Sequence, residues 1–156
     1  INPDSTQGNW NHIVTKGNNA NRVYQLSIQT DRRIDMRINN DGSSAATTTE
    51  VVPANQWSYV VGTYDRSNVK IFINGVEKAS KTFTNAINNN TVHLRIGSRV
   101  YGTIDNGTVW CPFSGLIDEV RISDVVRSTG WIQTCYMTMS DPVGFLGVGS
   151  EIEAPS

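Results

Sequence analysis

The sequence predicts an all-β protein, a two-sheet antiparallel sandwich with one short C-terminal helical segment. Three observations carry that prediction. Apolar residues recur at every second position through most of the chain, the period of a strand with one face buried. Turn signals rich in Asn, Asp and Gly separate these runs at intervals of roughly eight to twelve residues, as in sandwiches and barrels. The polar load rests on neutral groups, with 16 Asn, 15 Thr and 14 Ser against a charged fraction of 17%, below the roughly 25% usual in soluble domains. Thr favours strands and Asn favours turns. No alternation of strands with helices indicates a parallel sheet, and no internal repeat is visible.

The elements follow in order. Arg22 to Gln29 sets Tyr24, Leu26 and Ile28 on one face against Val23, Gln25 and Ser27. After the break Thr30-Asp31-Arg32, residues Arg33 to Asn39 set Ile34, Met36 and Ile38 opposite Arg33, Asp35 and Arg37, a half-buried strand. Asn39-Asn40-Asp41-Gly42 is a turn. Thr47 to Val52 is a further strand, ended by Pro53. Trp57 to Asp65 is largely apolar on both faces, which predicts a central strand covered on both sides. The turn Asp65-Arg66-Ser67-Asn68 leads into Val69 to Ile73, with Val69, Ile71 and Ile73 on one side. Asn74-Gly75 joins two residues that tolerate positive φ and predicts a type I′ hairpin. The return strand, Val76 to Phe83, carries Lys78 and Lys81, as suits an edge. Val92, Leu94 and Ile96 mark the next strand, closed by Gly97, and Ser98 to Pro112 is an irregular loop. Phe113 to Ser123 is the last strong strand. Asp124 to Met139 is the candidate helix, but Ser128-Thr129-Gly130 interrupts it and predicts a short helical turn. Gly149 to Ser156 reads as a linker.

A chain of 156 residues has room for one domain and buries roughly two-thirds of its unfolded surface, so its core needs neither metal nor disulfide. Net charge is −1, from 13 basic and 14 acidic residues. That balance leaves no electrostatic footprint for nucleic acid and no polybasic membrane anchor. No apolar run reaches the roughly 18 residues of a membrane-spanning helix, so no membrane insertion is expected. The chain opens Ile1-Asn2-Pro3-Asp4 without a leader pattern, as expected of a mature product or an excised fragment. Cys111 and Cys135 are consistent with one disulfide or with two free thiols, and their spacing fits no zinc pattern. Joined, they would staple the C-terminal segment to the strand entering Phe113, a constraint worth roughly 3 kcal/mol.

Four blocks then stand in a specific order and spacing. They are Gln56-Trp57-Ser58-Tyr59-Val60-Val61-Gly62-Thr63-Tyr64-Asp65, Val69-Lys70-Ile71-Phe72-Ile73-Asn74-Gly75-Val76, Leu94-Arg95-Ile96-Gly97, and Phe113-Ser114-Gly115-Leu116-Ile117-Asp118-Glu119-Val120-Arg121-Ile122-Ser123. Together they resemble the laminin-G-like domains of the concanavalin A-like lectin/glucanase class, over roughly residues 13–123. The stretch after Arg127 is similar to the C-terminal extension of such domains in prokaryotic surface proteins. The resemblance implies a two-sheet jelly roll over residues 1–149, with the extension from about residue 124, placed outside the cell or on its surface within a larger protein. It departs from the family at the start, where further strands usually precede the segment found here. The expectation is that a strand from elsewhere completes the sandwich, from a neighbouring subunit or from another chain that supplies the N-terminal part.

The function expected on this scaffold is a non-catalytic binding or adhesion module for a carbohydrate, a surface glycan or a surface protein. Alternatives are a structural subunit of a filament or surface layer, and an accessory domain of a secreted glycan-active enzyme. The loop residues Arg99, Tyr101, Asn106 and Trp110, with Trp10, supply the aromatic platform and polar donors that sugars need. Against that, Trp110 can simply pack beneath the loop. Trp57 and Trp131 read as core. Alternation sets Leu116, Asp118, Val120 and Ile122 on one face. Were that face internal, Asp118 would be a buried carboxylate needing backbone N–H donors, an arginine, or a structural Ca²⁺ as its partner. A bulge at Gly115 would change that register. Asp118 and Glu119 point to opposite faces and cannot form a glycosidase pair. The five glutamates, Glu50, Glu77, Glu119, Glu151 and Glu153, show no glucanase-type spacing. Asn89 and Asn106 head glycosylation sequons.

Overall fold

The computed structural model describes residues 1–100 and 108–145. Within them the chain forms β1 (Asn2–Pro3), β2 (Asn11–Gly17), β3 (Arg22–Ile28), β4 (Arg33–Ile38), β5 (Ala46–Val51), β6 (Val60–Tyr64), β7 (Asn68–Ile73), β8 (Val76–Thr82), β9 (Leu94–Ile96), β10 (Arg99–Val100), β11 (Val109–Trp110), β12 (Gly115–Leu116), α1 (Thr129–Ser140) and α2 (Pro142–Phe145). A five-stranded sheet runs β5-β4-β3-β2-β9 and a three-stranded sheet runs β6-β7-β8. All named pairings are antiparallel. Two short ribbons, β1-β12 and β10-β11, complete the strands.

The apolar sets predicted from alternation face one another. Ile13, Ile28, Ile34, Met36, Ile38 and Ala46 of the larger sheet form one core cluster with Val69, Ile71 and Ile73 of β7 and with Val52 and Phe83. This is the two-layer sandwich. Asn74 and Gly75 both adopt positive φ, 51° and 79°, in the expected hairpin. Asn74 adds a side-chain bond, its Oδ1 accepting from the Tyr59 N–H at 2.9 Å, so the turn also ties down the approach to β6.

Several expectations are corrected. β6 is an edge strand, half-buried throughout, and its apolar outer face lacks the second layer that a central strand would have. Trp57 lies before β6 and is 54% exposed. Leu94, on the edge strand β9, and Val120 are also exposed, so neither joins Ile71 in the interior. The long strand expected over Phe113 to Ser123 shrinks to β12, because Gly115 (φ 128°) and Glu119 (φ 50°) bend the chain. Phe113 and Ile117 pack on the core, whereas Asp118, Glu119, Val120 and Arg121 are exposed. The helix is longer than expected. Ser128-Thr129-Gly130 is its start and not a break: Ser128 is the N-cap, its side chain accepting from the Trp131 N–H, which satisfies one of the otherwise orphaned donors. Ile132 is the fully buried residue of α1, while Trp131 remains 39% exposed beneath the Arg127 guanidinium.

The two cysteines are free thiols, not a disulfide. Cys111 lies against Arg99 beside the larger sheet, whereas Cys135 is on α1 beside Tyr59. Different layers of the molecule hold them.

Gly115 makes a sharp test of this arrangement. A Cβ there would meet the Asn2 backbone oxygen at 2.3 Å, at a φ that L side chains rarely adopt. Gly115→Ala should destabilise the domain by about 2 kcal/mol or more. Gly42→Ala, with open space around it, should be near neutral. Denaturant melts of the two variants decide.

Candidate functional site

The outer face of the five-stranded sheet is polar, as the sequence pattern requires, yet much of it is sealed from water. Registry aligns Thr15, Gln25 and Arg37 in one row, and His12, Ser27, Asp35 and Thr47 in the next. His12, Thr15, Gln25, Ser27 and Asp35 are all buried. A buried carboxylate must be compensated. Asp35 accepts from Arg37 Nε at 3.0 Å, Gln25 Nε2 at 3.3 Å and Thr47 Oγ1 at 2.8 Å.

A roof over this layer leaves a cavity of about 430 Å³, lined by Trp10, His12, Arg22, Gln25, Arg37, Arg99, Trp110 and their neighbours. Trp10 precedes β2. Arg99 and Trp110 are registry partners in the β10-β11 ribbon. The His12 N–H donates to the Cys111 carbonyl at 3.0 Å, tying roof to sheet. Trp10 (φ 61°) and Cys111 (φ 51°) both hold left-handed backbone conformations at the cavity wall. For side chains of these types such geometry costs on the order of 1 kcal/mol or more. The Arg37 guanidinium stacks 4.3 Å from the Trp10 ring centroid, a cation–π contact that fixes both groups.

The electrostatics are unusual for a buried site. Burial, then Arg99 and Arg37, push Arg22 down to about 10, so it stays charged at neutral pH. Burial, then Arg99 and Arg22, push His12 down to about 3, so its ring is neutral. Burial pushes the Cys111 thiol up. Both His12 ring nitrogens, the Nε atoms of Arg22 and Arg99, and Gln25 Oε1 are buried without a hydrogen-bond partner. These unbonded atoms belong to residues that line the cavity, but the atoms themselves have almost no surface open to it.

The structure brings three of the expected ligand residues, Trp10, Arg99 and Trp110, to this one cavity. Tyr101 and Asn106 lie outside the described residues. Asn89 is exposed. Arg22, Arg37, Gln25 and His12 were not among the expected site residues. For Gln25 and Arg37 the signal in the sequence was the polar half of the alternation in β3 and β4; Arg22 and His12 carried none. Asp118 is exposed and accepts from its neighbour's N–H, Glu119, at 2.8 Å. Among the described residues no three His, Cys, Asp or Glu side chains gather as a metal site.

The profile described as the concanavalin A-like lectin/glucanases superfamily, a laminin-G type, matches residues 1–133. The chain belongs to that superfamily. Solved structures share the fold at low identity. A Bacteroides ovatus protein, provisionally described as carbohydrate-binding, superposes with a TM-score of 0.65 at 21% identity, over 84% of this chain and 37% of that one. The heptameric SAP-like pentraxin of Limulus polyphemus gives 0.61 at 12% identity, over 86% and 65%. The CBM40 of Ruminococcus gnavus IT-sialidase, bound to α2,3 sialyllactose, gives 0.54 at 21% identity, over 72% and 66%. The chain thus spans less than two-thirds of each of these proteins. No protein of curated function matches it.

The neutral His12 gives the site a pH signature. Unfolded, the ring binds a proton near its ordinary 6.5; folded, it does so only at about 3. Between these values the unfolded state holds more protons, so acidification removes stability. Stability should fall as pH drops below 6.5, with a limiting slope of about 1.4 kcal/mol per pH unit for one proton. His12→Gln should flatten that slope between about pH 6.5 and 5, where few carboxylates titrate. Equal slopes in the two proteins, measured by denaturant melts, would contradict this account.

Proposed function

We propose that this chain is a non-catalytic, extracellular carbohydrate-binding module of a larger protein, and that its ligand occupies the cavity under Trp10 and Trp110. The observation that carries the reading is the cavity itself: an aromatic rim over buried polar atoms that lack partners. Aromatic faces pack on the apolar face of a sugar ring, while a few fixed polar groups select its hydroxyls. Among the described residues its lining is polar and cationic rather than acidic, which suits binding better than the paired carboxylates of a glycosidase. The sialyllactose-bound CBM40 shows that a protein of this fold holds a glycan. An extracellular setting suits that role, and none of the described helices is long and apolar enough to cross a membrane. Trp10→Ala and Trp110→Ala should each weaken glycan affinity at least tenfold, as buried aromatic anchors do. The measurement is a glycan array followed by calorimetric titration, with an assay for released reducing sugar that should stay blank. A protein that binds no glycan would end this reading.

A second reading, a structural subunit completed by strand exchange, is favoured by one surface. Among the described residues β6 pairs only with β7, and residues 117–123 form no strand. Leu116, Ile122, Val125 and Val126 are each more than half exposed beside Trp57 in the same condition. Unpaired edges with apolar faces are templates for strand addition. On this reading a neighbouring copy supplies the strand, and sedimentation should show concentration-dependent assembly that Ile122→Lys abolishes. A protein that stays monomeric at high concentration excludes self-completion.

A further inference from the structure

Among the described residues the charges in the cavity do not balance. Three guanidinium groups line it, from Arg22, Arg37 and Arg99. The carboxylate beneath them, Asp35, is fully buried and already bonded to Arg37, Gln25 and Thr47. Among the described residues neither Arg22 nor Arg99 has a carboxylate within ion-pair distance. Both are at most 9% exposed, and the Nε of each is buried without a bond. Two like charges held close oppose each other, and the buried Nε of each lacks the hydrogen bond that burial demands. A neutral sugar would leave that deficit in place. An anion set between the two guanidinium groups removes it, through charge-assisted bonds that are stronger than neutral ones.

We infer that the cavity takes an acidic sugar, whose carboxylate is held by Arg22 and Arg99 while the ring lies against the tryptophan rim; this rests on the glycan-binding reading above. The planar guanidinium fork matches a carboxylate in shape. His12, neutral and with both ring nitrogens unbonded, adds no charge of its own beside that anion. A volume of about 430 Å³ falls within the roughly 300–1,000 Å³ of ordinary ligand sites and accommodates a monosaccharide unit.

The test uses the whole chain and matched ligands. Oligosaccharides ending in a uronic or sialic acid are titrated calorimetrically beside their neutral parents and beside the methyl esters of the same acids. The acid should bind at least tenfold more tightly than parent or ester, and raising sodium chloride should weaken that binding alone. Arg22→Gln and Arg99→Gln should abolish the preference, with Arg99→Lys retaining part of it. Thermal melts verify that the variants fold, and where one does not, the ester comparison decides on the native protein. Equal affinity for acid, ester and parent overturns the inference and leaves the glycan reading standing. Preference for a sulfated sugar over the carboxylate overturns the choice of anion. Failure to bind any saccharide, neutral or acidic, removes both.

Discussion

A carboxylate with no exposed surface, Asp35, organises the outer face of the larger sheet. It sits at the centre of β4, where alternation forces it away from the apolar core formed by Ile34, Met36 and Ile38. Such a position is ordinarily solvated. Here the roof excludes water, so the charge must be met by protein. Arg37, Gln25 and Thr47 meet it from three strands, and the registry that aligns them is therefore fixed by electrostatics as well as by the core. Loss of one partner from such a buried pair typically costs about 3–5 kcal/mol. Arg37 in turn carries the ring of Trp10, so the rim of the cavity is positioned by a chain of contacts that begins at this one oxygen pair.

The sandwich is unequal, and the inequality has consequences for each face. Five strands shield one side of the core and three shield the other. Where the smaller sheet ends, at β6, apolar side chains remain half-buried. The helix α1 compensates at the opposite end of those strands: Tyr136 stacks near-parallel with Tyr59 at 6.4 Å, and Gln133 and Tyr136 close over Gly75. The polar site and the unfinished edge thus occupy different layers. A substitution in one layer therefore leaves the other layer's packing unaltered.

Much of the scaffold was legible because period-2 alternation is a local property. β3, β4, β7 and β8 lie where it placed them, and Asn74-Gly75 turns as its φ tolerance dictates. The failures share a cause. Trp57, Trp131 and the apolar faces of β6 look internal, because composition records hydrophobicity and not whether a neighbouring layer exists. Parity alone left the inward or outward setting of Asp118 open, and the bends at Gly115 and Glu119 break the alternation on which an inward setting depends. Within the cavity, Trp10, Arg99 and Trp110 stood out as aromatics and a cation in irregular segments. Arg22, Arg37 and His12 did not, since a charged or polar residue on a strand's outer face is usually wet. Only the roof, formed by segments more than eighty residues apart, makes them part of a site.

The short β1-β12 ribbon pairs Asn2 with Leu116 and Pro3 with Gly115. Gln7 and Asp4 stitch it to Ser114, through Gln7 Nε2 on the Ser114 carbonyl at 2.6 Å and Ser114 Oγ on Asp4 at 2.7 Å. The polypeptide thus enters and leaves the larger sheet through a narrow clasp, and the cavity hangs on the loop of chain between. Tension applied across that clasp peels its bonds one after another, because the antiparallel strands are pulled from the same end. The sheet that carries the arginines is held by longer ladders of its own, so opening the clasp leaves their registry intact.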